Sequence, residues 1–338
     1  MTESDLAHEP VAFLASQRPI LVVVVDTEEE FDWSAGFSRT ATSVTAMAEI
    51  HRFQRVCDEF GIRPTYVIDY PVASQDAGTG PLKAFRGSGR AEIGVHLHPW
   101  VSPPYDEPLS AYNSYPGNLD PEHEAAKIQV LTEMTAAAFG ERPIIYKAGR
   151  YGIGPRTPGI LLKQGYEIDL SAAPPMDYRL DGGPDFSTHP VQPSWIGAGR
   201  RILGIPSTGA FIGLMGTGAR RVYRFAAQPA LRWCRIPGVL ARSGLLERLR
   251  LSPEGYELND NRRLTNALLQ RGVRVFSYCL HSPSMKPGCT PYVQSESDRE
   301  RLLDTCRRYF EWFLRELRGI SMTPSELKQH IETRSDQA

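Results

Sequence analysis

The chain has 338 residues, 38 Lys and Arg against 39 Asp and Glu, and a formal net charge of −1; 41% hydrophobic and 23% charged residues is ordinary globular composition, which excludes wholesale disorder. A near-neutral balance without any Lys/Arg block gives a phosphate backbone nothing to bind, so no nucleic-acid partner is expected. No run approaches the roughly 18 apolar residues of a membrane span, MTESDLAHEPVAFLASQR lacks the basic start and apolar core of a secretory signal, and the five scattered cysteines form no CxxC pair; a soluble cytoplasmic protein is expected.

The strongest local signal is Ile20-Leu21-Val22-Val23-Val24-Val25, a β-branched run that stops at Asp26-Thr27-Glu28-Glu29-Glu30. A run apolar on both faces predicts a central strand of a parallel sheet. Met47, Ile50, Phe53 and Cys57 at helical spacing, with Ser43 able to cap and Gly61 at the end, predict a helix over 43–60. Strands are expected at 65–68 and 91–96, then a Pro-rich loop from Pro99 to Pro121 and a helix over 122–139 ended by Gly140. Strands at 144–146 and 166–168 flank a short helix at 157–164, and Arg201 to Ile205 reads as a further strand. Helices are expected at 221–235 and 238–250 in an irregular stretch, followed by a helix at 260–271, a strand from Val273 to Leu280 and a long helix at 297–318. Thr323-Pro324-Ser325-Glu326 has capping-box spacing with Pro at the first helical position, and opens a last short helix. Alternating strands and helices predict βαβ units with parallel pairing. Seven or eight such units point to a barrel, with a doubly wound open sheet as the alternative. We expect one domain over 19–330, with an N-terminal extension (1–18), a divergent insertion at about 197–260 and a C-terminal tail (331–338).

The residues that carry chemistry fall at the ends of these strands: Asp26 and Glu28 after the first, His96 and His98 after the third, Arg150 after the fourth, Asp169 after the fifth, and His281 after the strand ending at Leu280. In parallel α/β architectures that edge of the sheet is where functional loops gather. Side chains at i and i+2 on a strand share a face, so His96 and His98 can converge on one ion, and so can Asp26 and Glu28 on a nearby strand. Such an ion lowers the pKa of a bound water to about 7 and polarises a carbonyl, as amide or ester hydrolysis requires. Trp33, Trp100 and Tyr151 offer flat apolar faces for a sugar ring.

In chain order, the acidic strand end, the His-rich strand end, Arg150-Tyr151-Gly152, Asp169-Leu170-Ser171 and Leu280-His281 resemble the NodB-homology polysaccharide deacetylases (carbohydrate esterase family 4). The resemblance covers roughly residues 19–330. It implies a distorted (β/α) barrel with seven or eight parallel strands, and metal-dependent removal of N- or O-acyl groups. It also implies that Asp26 is the base, aimed by Arg150, that His281 is the acid, tuned by Asp169, and that Leu280 lines an acyl pocket. Two departures shift the ligands. Thr27 stands where the family has a second aspartate, which moves that role to Glu28. Trp100 stands four residues after His96, where the family has its second histidine, which moves that role to His98. The DTEEEFDW first motif resembles a cytoplasmic branch of the family. One divalent ion is implied, zinc foremost and Co2+, Ni2+ or Mn2+ as alternatives. The implied partner is an acylated carbohydrate or sugar-containing small molecule. Three other readings stay open: hydrolysis of a non-polymeric C–N bond (a small amide, formamide or sugar nucleotide), a metal-free glycosidase using Asp26 and Asp169, and a metal-free carbohydrate-binding relative without activity.

Overall fold

In the computed structural model, which describes residues 8–32, 35–197, 201–213 and 246–335, the apolar run forms strand β2 (Ile20–Thr27), buried throughout. It has parallel neighbours on both sides, β3 (Thr65–Ile68) and β11 (Val275–His281). Leu21, Val23 and Val25 pack outward against helical residues such as Phe53, Ile128, Leu264 and Phe310. Ile20, Val22 and Val24 pack inward with Val67, Ile145, Ile168 and Val275. The strand's period of two thus divides one run between two cores; each fully buried Val, Leu or Ile in them contributes about 1.5–3 kcal/mol.

The parallel strands run in the order β11-β2-β3-β4-β5-β6-β8, with β4 at Glu92–Leu97, β5 at Ile145–Ala148, β6 at Ile168–Asp169 and β8 at Ile202–Gly204. Strands β7 (Ser194–Ile196) and β1 (His8–Pro10) extend the sheet antiparallel from β8. Beyond β8 the chain continues along β6 (Ile205 N to Asp169 O, 2.8 Å) and reaches β11, where Ser277 N donates to Thr208 Oγ1 at 2.8 Å. Leu251 completes the ring: its N–H donates to Thr208 O (2.8 Å) and its carbonyl accepts from Cys279 N (3.2 Å). These irregular bonds close the sheet, so the fold is a distorted barrel and not an open doubly wound sheet. Leu327 and Ile331 of the last helix (Pro324–Ser335) pack in the interior cluster with Ile20 and Val22, and so cover the end of the barrel where the strands begin.

Most expected elements stand where sequence places them, including the Gly140 stop (φ 74°) and the Thr323–Glu326 capping box. Several do not. The helix expected over 43–60 is a 3-10 turn (Thr45–Glu49) followed by a helix at His51–Asp58, because Ser43 donates to Glu30 Oε2 (2.6 Å) instead of capping. The long helix after Ser295 is α-helical over Glu296–Glu311 and a π turn over Trp312–Glu316. Helices at Tyr70–Ser74 and Asp76–Gly87 have no counterpart in the expectation. Their Pro71, Gly78, Gly80 and Pro81 read as loop, yet Asp69 caps the first by accepting from Val72 N, and Gly78 lets the second pack on Val72, where a Cβ would stand 2.4 Å from its carbonyl oxygen. The expected helix at 221–235 lies outside the described residues. The described end of the one expected at 238–250 is strand β10 (Glu247–Arg250), paired antiparallel with β9 (Gly209–Ile212). Within the extension, His8–Pro10 belongs to the sheet as β1. Among the described residues no helix is long and apolar enough to cross a membrane.

Candidate active site

Strand parity carries the apolar interior rows into a polar cluster at the other end of the barrel. Asp26 continues Ile20-Val22-Val24, and His281, its register partner on β11, continues Val275-Ser277-Cys279. His96 on β4 stands opposite Lys147 on β5. Asp26, Glu28, His96, His98 and Lys147 are all buried, and the His281 side chain is 23% exposed.

Glu28, His96 and His98 offer ligand atoms that all lie within 4.8 Å of one another. Glu28 Oε2 is 3.4 Å from Nε2 of each imidazole. His96 Nδ1 lies 3.2 Å from the Lys147 carbonyl, which can only accept, so the proton sits on Nδ1 and the Nε2 lone pair faces Glu28. His98 Nδ1 donates to Glu29 Oε2 at 2.7 Å, with the same consequence. Burial lowers both imidazoles, His96 strongly, and keeps them neutral, while burial pushes Glu28 up to about 7. A buried carboxyl held among two neutral nitrogen lone pairs fits a divalent cation: two imidazoles and one carboxylate leave a position for water. A second trio, Glu29, Asp69 and His98, also lies within reach of one point. Its donors are already committed, since Asp69 accepts from the N–H groups of Glu29 and Val72 (2.8 Å each) and Glu29 accepts from His98 and Trp100. Its role is to hold His98.

The cation beside Asp26 is Lys147, not Arg150. Lys147 Nζ lies 2.5 and 2.7 Å from the two Asp26 oxygens, both residues being buried. Burial alone would raise Asp26, but Lys147, with His281, outweighs it and holds the carboxyl well below its ordinary range. Arg150 has left-handed backbone (φ 53°), and its guanidinium donates to Ser114 Oγ (2.5 Å) and the Ala111 carbonyl and stacks on Tyr115 at 4.1 Å. It fastens the Pro-rich loop. Sequence reasoning missed Lys147; the available signal was its parity with Ile145, which places a lone cation on the interior row.

His281 is likewise held by a residue other than the one expected. Its Nδ1 lies 2.6 Å from Glu254 Oε2 and its backbone N–H donates to Glu254 Oε1 at 3.0 Å, while Nε2 stands 3.7 Å from Asp26 Oδ2. Burial would lower the imidazole, but Glu254, Glu28 and Asp26 raise it to about 10, so it is a cation at neutral pH. Asp169 is in register with Tyr146, a residue of the outer core, and accepts from the N–H (3.0 Å) and hydroxyl (2.5 Å) of Ser171. It shapes the turn after β6 and does not touch His281. Leu280 is also displaced from its expected place: it belongs with Val25 to the outer cluster, because neighbours on a strand face opposite ways and His281 faces in. Glu254 lies within the expected insertion and carried no motif; Asn261 fixes its loop by accepting from Ser252 N at 3.0 Å.

Of the three aromatics, Trp33 lies outside the described residues. Trp100 is 3% exposed, stacks on His98 at 4.2 Å and donates Nε1 to Glu29 Oε1 at 2.7 Å, so it buttresses His98 and offers no face to a sugar. Tyr151 (φ 59°) is half-buried beside Lys147, whose Nζ is 5.3 Å from the ring centre, and stacks on Tyr178.

No family model matches this chain, and neither does any curated protein. Solved structures do. A provisionally assigned polysaccharide deacetylase from Mycobacterium smegmatis superposes with a TM-score of 0.55 at 15% identity, over 98% of this chain and 96% of that one. PuuE allantoinase superposes at 0.54 and 16% identity, over 92% and 89%. The 4-alpha-glucanotransferase from Thermococcus litoralis gives 0.50 at 14% identity, over 92% of this chain and 40% of that one. The chain shares their fold. The expected barrel of the polysaccharide-deacetylase kind is therefore present, and at such identities the likeness is one of fold alone.

Proposed function

We propose that the protein is a metal-dependent hydrolase that removes an acyl group, N-acetyl foremost, from a carbohydrate or sugar-containing substrate. One observation carries this reading: Glu28 Oε2 and the Nε2 atoms of His96 and His98 converge on one point flanked by Asp26 and His281. A divalent cation held there, zinc foremost, supplies Lewis acidity to the acyl oxygen and acidity to an attacking water. Asp26, kept ionised by Lys147, accepts the proton of that water. His281, charged and aimed by Glu254, delivers a proton to the departing amine or alcohol. Tyr151 and Tyr178 shape the side of the site next to Lys147. The free cysteines Cys57, Cys279, Cys289 and Cys306 fit a reducing compartment, which supports the cytoplasm as the location. The likeness to an allantoinase supports a second reading, cleavage of a C–N bond in a small non-polymeric amide. Acetate release from N-acetylated chitotetraose and from an N-acetylated sugar nucleotide, and ring opening of allantoin to its ureido acid, measured side by side, decide between them.

Elemental analysis of purified protein is expected to give about one divalent ion per chain, and less than a tenth of that in His96→Ala and in His98→Ala. Wild-type protein that takes up no metal would overturn the reading and leave a carbohydrate-binding relative.

The alkaline limb of the activity profile reports His281. A raised acid works below its pKa, so activity is expected to fall as pH rises toward about 10; a cation beside Glu28 offsets part of that residue's pull and sets the limb below 10, not above. Glu254→Gln removes the largest stabiliser of the imidazolium and is expected to move the limb down by at least about one pH unit. A limb that stays in place would exclude Glu254 as the group that tunes the acid.

A further inference from the structure

Two cations of the site have carboxylate partners: Lys147 has Asp26, and His281 has Glu254. Beside them stands a third. The third, Arg250, has none among the described residues. It ends strand β10 opposite Gly209, which the fold seats so closely that a Cβ there would stand 2.5 Å from the Pro174 carbonyl oxygen. Its guanidinium lies 4.8 Å from the centre of the Tyr151 ring and donates through Nη2 to the Tyr151 hydroxyl. Lys147 Nζ is 5.3 Å from the same ring, so one aromatic side chain separates Arg250 from the cation that holds Asp26. Tyr178 stacks on Tyr151, ring centres 5.8 Å apart. Burial pushes both phenols up, so neither supplies a negative charge at neutral pH. Arg250 is half-buried, and the ring contact and the Tyr151 hydroxyl occupy only part of its fork. Its remaining N–H groups donate to no described residue, and a planar fork of this kind matches the two oxygens of a carboxylate or phosphate.

We propose that Arg250, with the Tyr151 hydroxyl beside it, seats an oxyanion carried by the substrate, a carboxylate or a phosphate on the acylated sugar, and so selects acidic over neutral acylated sugars. The inference deepens the reading of the site as an acyl-sugar hydrolase and rests on it for the sugar. Calorimetry on the full chain with N-acetylglucosamine 1-phosphate, N-acetylmuramic acid and neutral N-acetylglucosamine tests it. The expected result is at least about tenfold tighter binding of one acidic sugar than of the neutral one, with the identity of that sugar assigning phosphate or carboxylate. The preference should fall about tenfold in Arg250→Ala and only part-way in Arg250→Lys, which keeps the charge and loses the fork. Arg250→Gln, which keeps bulk and a donor, takes the place of Arg250→Ala should the latter fail to fold. Equal binding of the three sugars, no binding of either acidic one, or a preference that survives in the folded variants overturns the proposal. Since binding and acyl release are measured separately, failure of acyl release in every sugar would sink the hydrolase reading and leave the oxyanion site standing. Acyl release from acidic and neutral sugars at equal rates, unchanged in Arg250→Ala, would do the reverse.

Discussion

Asp26→Asn is expected to cut turnover by about a thousandfold or more, within the 10²–10⁴ range that a positioned base supplies with a margin for lost alignment. The amide keeps the shape of the side chain but cannot accept the proton of an attacking water. Asp26 is also the carboxylate facing His281 Nε2 at 3.7 Å, so the same change removes one of the charges that keep the acid protonated. Initial rates on an N-acetylated sugar and the fit of the alkaline limb read the two effects separately. Retention of more than about a tenth of the wild-type rate would place the base elsewhere. The substitution is not silent for the fold: it leaves the Lys147 ammonium, 1% exposed, without its counter-charge, and urea unfolding is expected to register the loss.

The part of this site legible in the sequence is the part written in strand periodicity. Asp26, His96 and His281 each extend an interior row by one step, so a buried run and a period of two suffice to bring them to one end of a barrel. The same parity, applied one residue earlier, would have turned Leu280 outward. Trp100 lies in the turn after β4 and is buried against His98, beyond the reach of any sugar.

What periodicity does not encode is where loops return. Arg150 and Tyr151 both adopt positive φ without being glycine, which swings the guanidinium to Ser114 and Tyr115 and leaves Asp26 to Lys147, the last residue but one of β5. Glu254 reaches His281 because Leu251 joins the barrel between Thr208 and Cys279, a closure made of irregular backbone bonds with no apolar pattern to announce it. Two helices after β3 stayed hidden because Gly78 and Pro81 usually interrupt helices; here Gly78 serves close packing against Val72, and Pro81 lies within the second helix.

Lys147→Met is expected to destabilise the protein by about 3–5 kcal/mol, since a buried carboxylate is left unpaired, and to lower activity as the Asp26 carboxyl rises toward protonation. The double variant Asp26→Asn/Lys147→Met removes both charges from a buried site and is expected to regain most of that stability while remaining inactive. Acid dependence separates the two proteins further. A carboxyl held below its ordinary value of 3.8 contributes stability in full above that value and loses it as pH falls further. The wild type should therefore lose stability below about pH 4 more steeply than the double variant. Urea midpoints at pH 7 and pH 3 for the four proteins of the cycle measure both effects. Additive losses, with no recovery in the double variant, would show that Lys147 and Asp26 are held by their separate surroundings and not by one another.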